Sequence, residues 1–158
     1  MTHAPCEITR YRDEHAAAFY ALNRAWLDEY ELYEPADETQ LADPAGSIIA
    51  PGGAIFVALE GGRVIGTGAV APHAPGEMEL AKLAVHPAAR GRGVARRLAN
   101  ACLAYAREQG ARRLVLVSSS RLQAALRLYE SLGFVRRPLP EVRPYVSADV
   151  YMELELTQ

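Results

Sequence analysis

The sequence predicts one mixed α/β domain. Three observations point there. Short segments alternate apolar and polar residues at period two, two longer stretches carry apolar residues at helical spacing and stop at a glycine, and the two kinds of segment interleave along the chain. A chain of 158 residues, half hydrophobic and 23% charged, can bury one continuous core. No repeat or linker divides it, so residues 1–158 are expected to form a single domain.

In chain order, Cys6 to Arg12 alternates and reads as a first strand. Asp13 is placed to cap a helix reaching about Tyr30, in which Phe19, Leu22, Trp26 and Tyr30 recur at helical spacing. Asp37 and Gln40 have capping-box spacing for a short second helix that ends near Pro44. Ala54–Leu59 and Arg63–Ala71 flank Glu60-Gly61-Gly62, a hairpin signal, and Pro72 and Pro75 close that unit. Glu77–Val85 alternates again as a fourth strand. Gly91–Gln109 carries Val94, Leu98, Cys102 and Tyr105 on one helical stripe and stops at Gly110. Leu114–Val117 is a continuous apolar run suited to the middle of a sheet. Leu122–Leu132 reads as a helix with Gly133 just past its end. Phe134 and Val135 begin a strand, Pro138–Pro144 is a loop, and Ala148–Leu156 is a last alternating strand.

Bulk chemistry narrows the function classes. A formal charge of −2 gives no reason to expect a nucleic-acid partner. No apolar stretch approaches the ~20 residues of a membrane span, and the first residues show no basic region followed by an apolar run. Cys6 and Cys102 match no metal or redox spacing and read as free thiols of a reducing compartment, so a cytoplasmic protein is expected. His3, His15, His73 and His86 show no ligand spacing, so no metal is implied. Charge is uneven. No Lys, Arg or His lies between Arg24 and Arg63, while Asp28, Glu29, Glu31, Glu34, Asp37, Glu38, Asp43 and Glu60 do. That segment is either a solvated acidic helix face or a lip for a cationic acceptor.

The chemistry concentrates in Leu83-Ala84-Val85-His86-Pro87-Ala88-Ala89-Arg90-Gly91-Arg92-Gly93-Val94-Ala95, where a strand ends and two glycines open a helix. A helix N-terminus has unpaired N–H groups and the positive end of a dipole, which suits a phosphate. Glycines 91 and 93 keep side chains off that backbone, and Arg90, Arg92, Arg96 and Arg97 are candidate phosphate partners. A P-loop would need Lys and Ser/Thr after its glycine, where Val94 and Ala95 stand. A dinucleotide fingerprint would need a small residue where Arg96 stands.

Arg90-Gly91-Arg92-Gly93-Val94-Ala95 resembles the Arg/Gln-x-x-Gly-x-Gly/Ala signature of the GCN5-related N-acetyltransferase (GNAT) superfamily. Lys82 to Pro87 resembles that family's fourth strand and its exit. Ala125-Leu126-Arg127-Leu128-Tyr129-Glu130-Ser131-Leu132-Gly133-Phe134 resembles the element that closes its CoA site. The resemblance implies a central, mostly antiparallel mixed sheet flanked by helices, with splayed fourth and fifth strands. It implies acetyl-CoA as cosubstrate and transfer to the primary amine of a small molecule or peptide. Leu83, Ala84 and Val85 would pair with the pantetheine arm, and the main chain from Arg90 through Ala95 would hold the pyrophosphate. The family's usual Asn after the fifth strand is replaced by Ser118-Ser119-Ser120, with Ser119 the nearest equivalent.

Tyr129 matches the family's tyrosine near the thioester sulfur, an acid for the leaving thiolate, or else it is a core tyrosine. Alternation puts Glu79 on the same face as Leu83 and Val85, where it would be the base, or else a salt-bridged strand residue. The acceptor is expected between the first helices and the loop before the last strand, against Tyr30, Tyr33, Glu34 and Tyr145, with Trp26 packed inside. A protein N-terminal or lysine acetyltransferase and a non-catalytic acyl-CoA sensor are the alternatives. The oligomeric state is left open: members of that family often form homodimers, and an exposed last strand from Ala148 to Leu156 would be an edge for such pairing.

Overall fold

The computed structural model describes residues 5–141 and 146–156. The elements are β1 (Cys6–Arg10), α1 (Ala16–Glu29), α2 (Pro35–Ala42), β2 (Ala54–Glu60), β3 (Arg63–Pro72), β4 (Glu77–Val85), α3 (Val94–Glu108), β5 (Arg113–Ser118), α4 (Gln123–Ser131), β6 (Val135–Arg137) and β7 (Val150–Glu155). This is the expected mixed architecture. One seven-stranded sheet runs β1-β2-β3-β4-β5-β7-β6, antiparallel throughout except for the β4–β5 pair.

The two faces of the sheet bury different clusters. The apolar stripe of α3, with Val94, Leu98 and Cys102, covers Ala58, Val70, Leu80 and Val85 on one face. On the other, Phe19 of α1, Leu41 of α2 and Ile48 cover Ile55 and Ala69. Ile48 belongs to a π-helical turn, Ala45–Ile49, that no local sequence pattern announced.

Several local expectations are corrected. Asp13 does not cap α1 through its side chain; a 3₁₀ turn, Asp13–His15, precedes the helix, and Arg12 N donates to His15 Nδ1 at 2.9 Å. The second helix starts earlier than expected, with Pro35 in its first turn, so Asp37 lies inside it. Its Oδ2 accepts from Glu34 N at 2.9 Å, which satisfies a donor at the helix start. The last strand is not a free edge. β7 inserts between β5 and β6, and Val135–Arg137 cover Tyr151–Glu153. The pairing edge foreseen for a second copy is occupied there.

β4 carries the correction that matters most for the site. Ala69 pairs with Ala81, but Thr67 pairs with Ala84, so Lys82 and Leu83 together face Gly68. Lys82 takes φ +53, and the strand bulges. One extra residue reverses the alternation. Leu83 reaches Gly68 and Val85 packs with Val94 and Leu98 on the α3 side, whereas Glu79 pairs with Ala71 on the α1–α2 side. Glu79 therefore lies on the face opposite Leu83 and Val85.

Candidate active site

β4 and β5 pair only from Glu77–Arg113 to Glu79–Val115. Beyond that point the strands diverge, as the splayed pair was expected to do. A cavity of about 430 Å³ opens where they separate. Its walls are the β4 edge from Glu79 to Leu83, the end of β5 through Ser119, one side of α4 with Ala125 and Tyr129, and Asn23, Trp26 and Asp37 from the first two helices. Ser147 and Ala148 contribute from the segment before β7.

Glu79 stands at the fork, in the last paired position of β4. Burial raises its pKa above the ordinary carboxylate range, while the charges of His73 and Lys82 oppose the shift. Tyr129 also lines the cavity. Its ring meets Phe134 edge-on at 5.9 Å, and burial, with the neighbouring Cys102, raises its hydroxyl to about 12. It is therefore a neutral O–H at neutral pH, able to donate a proton.

A buried polar network stabilises the bulge between them. Lys82 Nζ meets Asp37 Oδ1 at 2.8 Å, with both side chains under a tenth exposed. Thr67 Oγ1 donates to Lys82 O at 2.9 Å, and Asn23 Nδ2 donates to Thr67 Oγ1 at 3.0 Å. Sequence reasoning missed this network, although Lys82 is the only lysine in the chain and that signal was available.

The loop from β4 to α3 exposes main chain. Gly91 and Gly93 both have φ +78, and a side chain at either would meet nothing within 4 Å. The helical ladder starts with Arg97 N donating to Gly93 O at 3.1 Å, so the preceding N–H groups belong to the open first turn. The arginine side chains do other work. Arg90 forms a two-pronged ion pair with Glu29, at 2.8 and 3.0 Å, and lies 4.8 Å over the Trp26 ring. Arg92 pairs with Glu60, Arg96 donates to Ser131 Oγ at 2.8 Å, and Arg97 donates to Cys6 O at 2.9 Å.

Of the residues expected on the cofactor side, Leu83 and Ser119 line the cavity, and Ser119 Oγ also accepts from Arg121 N at 3.2 Å. Ala84 and Val85 are buried beyond it, Val85 among the residues under α3.

On the acceptor side Tyr30 and Tyr33 do not reach the cavity and Trp26 does, the reverse of the expectation. Tyr33 is held by its hydrogen bond to Glu38 and by Arg24 stacked 3.6 Å over its ring. Tyr30 packs on Trp26 at 5.2 Å. Glu34 is a clasp rather than a wall: its carboxylate accepts from Val146 N and Ser147 N, both at 2.8 Å, and from the Ser147 hydroxyl. Tyr145 lies outside the described residues. The acidic segment is largely spent internally, since Asp28, Glu29, Glu34, Asp37, Glu38 and Asp43 all hold partners within the fold.

Burial raises the Glu34 pKa, but the hydrogen bonds from Ser147 and Val146 outweigh it and hold the carboxyl below its ordinary range. A depressed folded pKa means the clasp stabilises at neutral pH and is lost as pH falls through that lowered value. Glu34→Ala should free Ser147 and Ala148, which line the cavity across from β4, and raise KM for the amine acceptor expected there while leaving KM for acetyl-CoA unchanged. Steady-state kinetics with each substrate varied will check this; equal changes in both KM values would refute it.

Among the described residues, no group of three or more metal-binding side chains occurs and no helix is long and apolar enough to cross a membrane.

The family model for the acetyltransferase (GNAT) family matches residues 9–134, and the chain belongs to that family. An uncharacterized N-acetyltransferase of Schizosaccharomyces pombe is 31% identical over 151 residues, covering 89% of this chain and 88% of that protein. Escherichia coli YjgM, an uncharacterized N-acetyltransferase, is 41% identical over 87 residues, covering 53% of this chain and 52% of that protein. Rat N-acetyltransferase 8 is 37% identical over 102 residues, 61% of this chain and 46% of that protein. The chain thus spans about half the length of several curated relatives. A GNAT-family acetyltransferase of Staphylococcus aureus superposes with TM-score 0.89 at 16% identity, covering 97% of this chain and all of the other. A Salmonella typhimurium acetyltransferase, solved with its cofactor acetyl-CoA, superposes with TM-score 0.75 at 24% identity, covering 98% and 96%. Both share the fold.

Proposed function

We propose that this protein transfers the acetyl group of acetyl-CoA to a primary amine by direct attack within a ternary complex. The observation that carries this is the meeting of Glu79 and Tyr129 in one cavity where β4 and β5 part. The bare β4 edge through Leu83 suits the amide-bearing pantetheine arm. The open main chain from Arg90 through Ala95 suits the pyrophosphate through N–H groups and the α3 dipole. Ser119 stands where the family's usual asparagine would meet the arm.

Glu79 is the base. An amine with an ordinary pKa near ~10.4 is mostly ammonium at neutral pH and must lose a proton before attack. A buried carboxylate with a raised pKa can take it, directly or through water. The amine then attacks the thioester carbonyl. As the tetrahedral adduct collapses, the C–S bond breaks, the neutral Tyr129 hydroxyl protonates the departing thiolate, and the second proton of the nitrogen passes to the Tyr129 oxygen, restoring the hydroxyl and leaving a neutral amide. Backbone N–H at the end of β4, near Val85, would polarise that carbonyl.

The test is free thiol released from acetyl-CoA with spermidine, free amino acids, kanamycin, phenethylamine and a peptide with a free N-terminus. Turnover with any of them supports the reading and names the acceptor class, the peptide arm reporting protein acetylation. Acetyl-CoA binding without turnover on any of them favours an acyl-CoA sensor instead, and no binding refutes both. A Gly93→Ala variant addresses the loop. An L-residue forced to φ +78 carries a cost of about 1–2 kcal/mol, which the free protein relieves by leaving the loop geometry that would hold the pyrophosphate, so acetyl-CoA affinity by calorimetry should fall about tenfold. Unchanged affinity would remove the loop from the cofactor site.

A further inference from the structure

Glu79 can serve repeated turnovers only if the proton it takes leaves again, and the fold places an exit beside it. His73 follows β3, two residues past Ala71, the β3 partner of Glu79, so it shares the face from which Glu79 projects. His73 N donates to Glu77 O at 3.0 Å and Glu77 N donates to Ala74 O at 2.8 Å, which pins this turn to the start of β4. His73 Nδ1 lies 4.0 Å from Glu79 Oε1, a gap that one side-chain adjustment or a shared water closes. The pair spans the boundary of the site. Glu79 is one-quarter exposed and lines the cavity, while His73 is 45% exposed on its outer side.

The other charged groups nearby are committed. Lys82, on β4 itself, pairs with Asp37 of α2, and Glu77 pairs with Arg113 of β5. The charge of Lys82 opposes the rise that burial gives the Glu79 pKa. Imidazole is the side chain suited to exchange protons with water near neutral pH.

We infer that His73 is the proton outlet of Glu79, a positioning and relay group for the reaction proposed above. The acceptor ammonium gives its proton to the Glu79 carboxylate. The resulting carboxylic acid passes it to His73 Nδ1, and the imidazolium releases a proton from Nε2 to solvent or buffer. Glu79 is returned as a carboxylate, and no other reactant is required. The inference rests on the base reading of Glu79, and the experiment separates the two.

The first arm needs no acceptor. The His73 ring nitrogens, assigned by comparison with His73→Gln, are observed by NMR in the unaltered protein and in Glu79→Gln. Their resonances should move when the facing carboxylate is replaced by an amide that cannot take a proton. Unmoved resonances mean the two groups do not meet and overturn the inference. The second arm follows acetyl transfer to the fastest amine of the panel in dilute buffer. His73→Ala and His73→Gln should both lose about tenfold in kcat, less than the ~10²–10⁴-fold of a group acting on the substrate itself. KM should hold, and added imidazole should restore the rate of His73→Ala but not of Glu79→Gln. Full activity in His73→Gln, or no response to imidazole, would reduce His73 to a structural contact. An active Glu79→Gln would overturn the base reading itself.

Discussion

Glu79→Gln should lower kcat for acetyl transfer by about 10²–10⁴-fold, with little change in the KM for acetyl-CoA. Glutamine keeps the size and hydrogen bonding of the residue at the fork but cannot accept a proton. The loss therefore falls on the chemical step rather than on assembly of the site. The pH profile carries the same signature. Burial, only partly opposed by His73 and Lys82, holds the Glu79 carboxyl above its ordinary range. Below that raised pKa the base is protonated and idle, so kcat/KM should fall on the acid side at a pH above that of an exposed carboxylate. In Glu79→Gln this acid limb should vanish. Tyr129→Phe should cost a comparable factor at the thiolate step, with a larger loss for substrates whose leaving thiol is more basic. A Glu79→Gln variant within threefold of the parent kcat would remove the residue from the mechanism.

The largest loss of stability is expected from Lys82→Met. The Lys82–Asp37 pair is almost fully buried, at 2.8 Å, and joins α2 to the β4 bulge. Removing one partner strands the other charge in a poorly solvated place, which costs about 3–5 kcal/mol. Urea denaturation should show the loss as a lower midpoint with an unchanged slope. Asp37→Asn in the same chain should recover much of it, because asparagine carries no charge to strand and can still accept from Glu34 N. A loss under about 1 kcal/mol in Lys82→Met would mean that solvent reaches the pair.

Much of the fold was legible because its signals are local. The strands and helices from Ala54 to Ser131 follow their hydrophobic periods, and Gly110 and Gly133 mark helix ends by φ values of +78 and +103. The glycine-opened turn into α3 announced itself by composition. The bulge did not. Ala81-Lys82-Leu83 contains none of the glycine or asparagine that usually marks a positive φ, and one unmarked extra residue inverted the face assigned to Glu79. The order of the last strands was equally hidden, because β7 is placed beside β5 by contacts between distant parts of the chain. Glu34 shows the same limit at a single residue. Its partners lie 112 and 113 positions away, so an acidic side chain that looked like part of a pocket proved to be a fastener. Trp26 was read as core from its spacing on α1, but the helix turns one edge of that stripe toward the gap.

The only lysine of the chain is the one paired with Asp37 at the β4 bulge, on the wall of the cavity. Thioesters acylate accessible ε-amines slowly without help, and a protein that concentrates one in a cleft is the first target at hand. Here every cationic side chain on the outside is arginine or histidine, neither of which forms a stable amide. The lone ε-amine does line that cleft, but its side chain is only 7% exposed and is tied to Asp37 at 2.8 Å. The ion pair thereby holds it back from the donor bound beside it, and amine-reactive dyes should label lysine far more slowly in the folded protein than in the unfolded one.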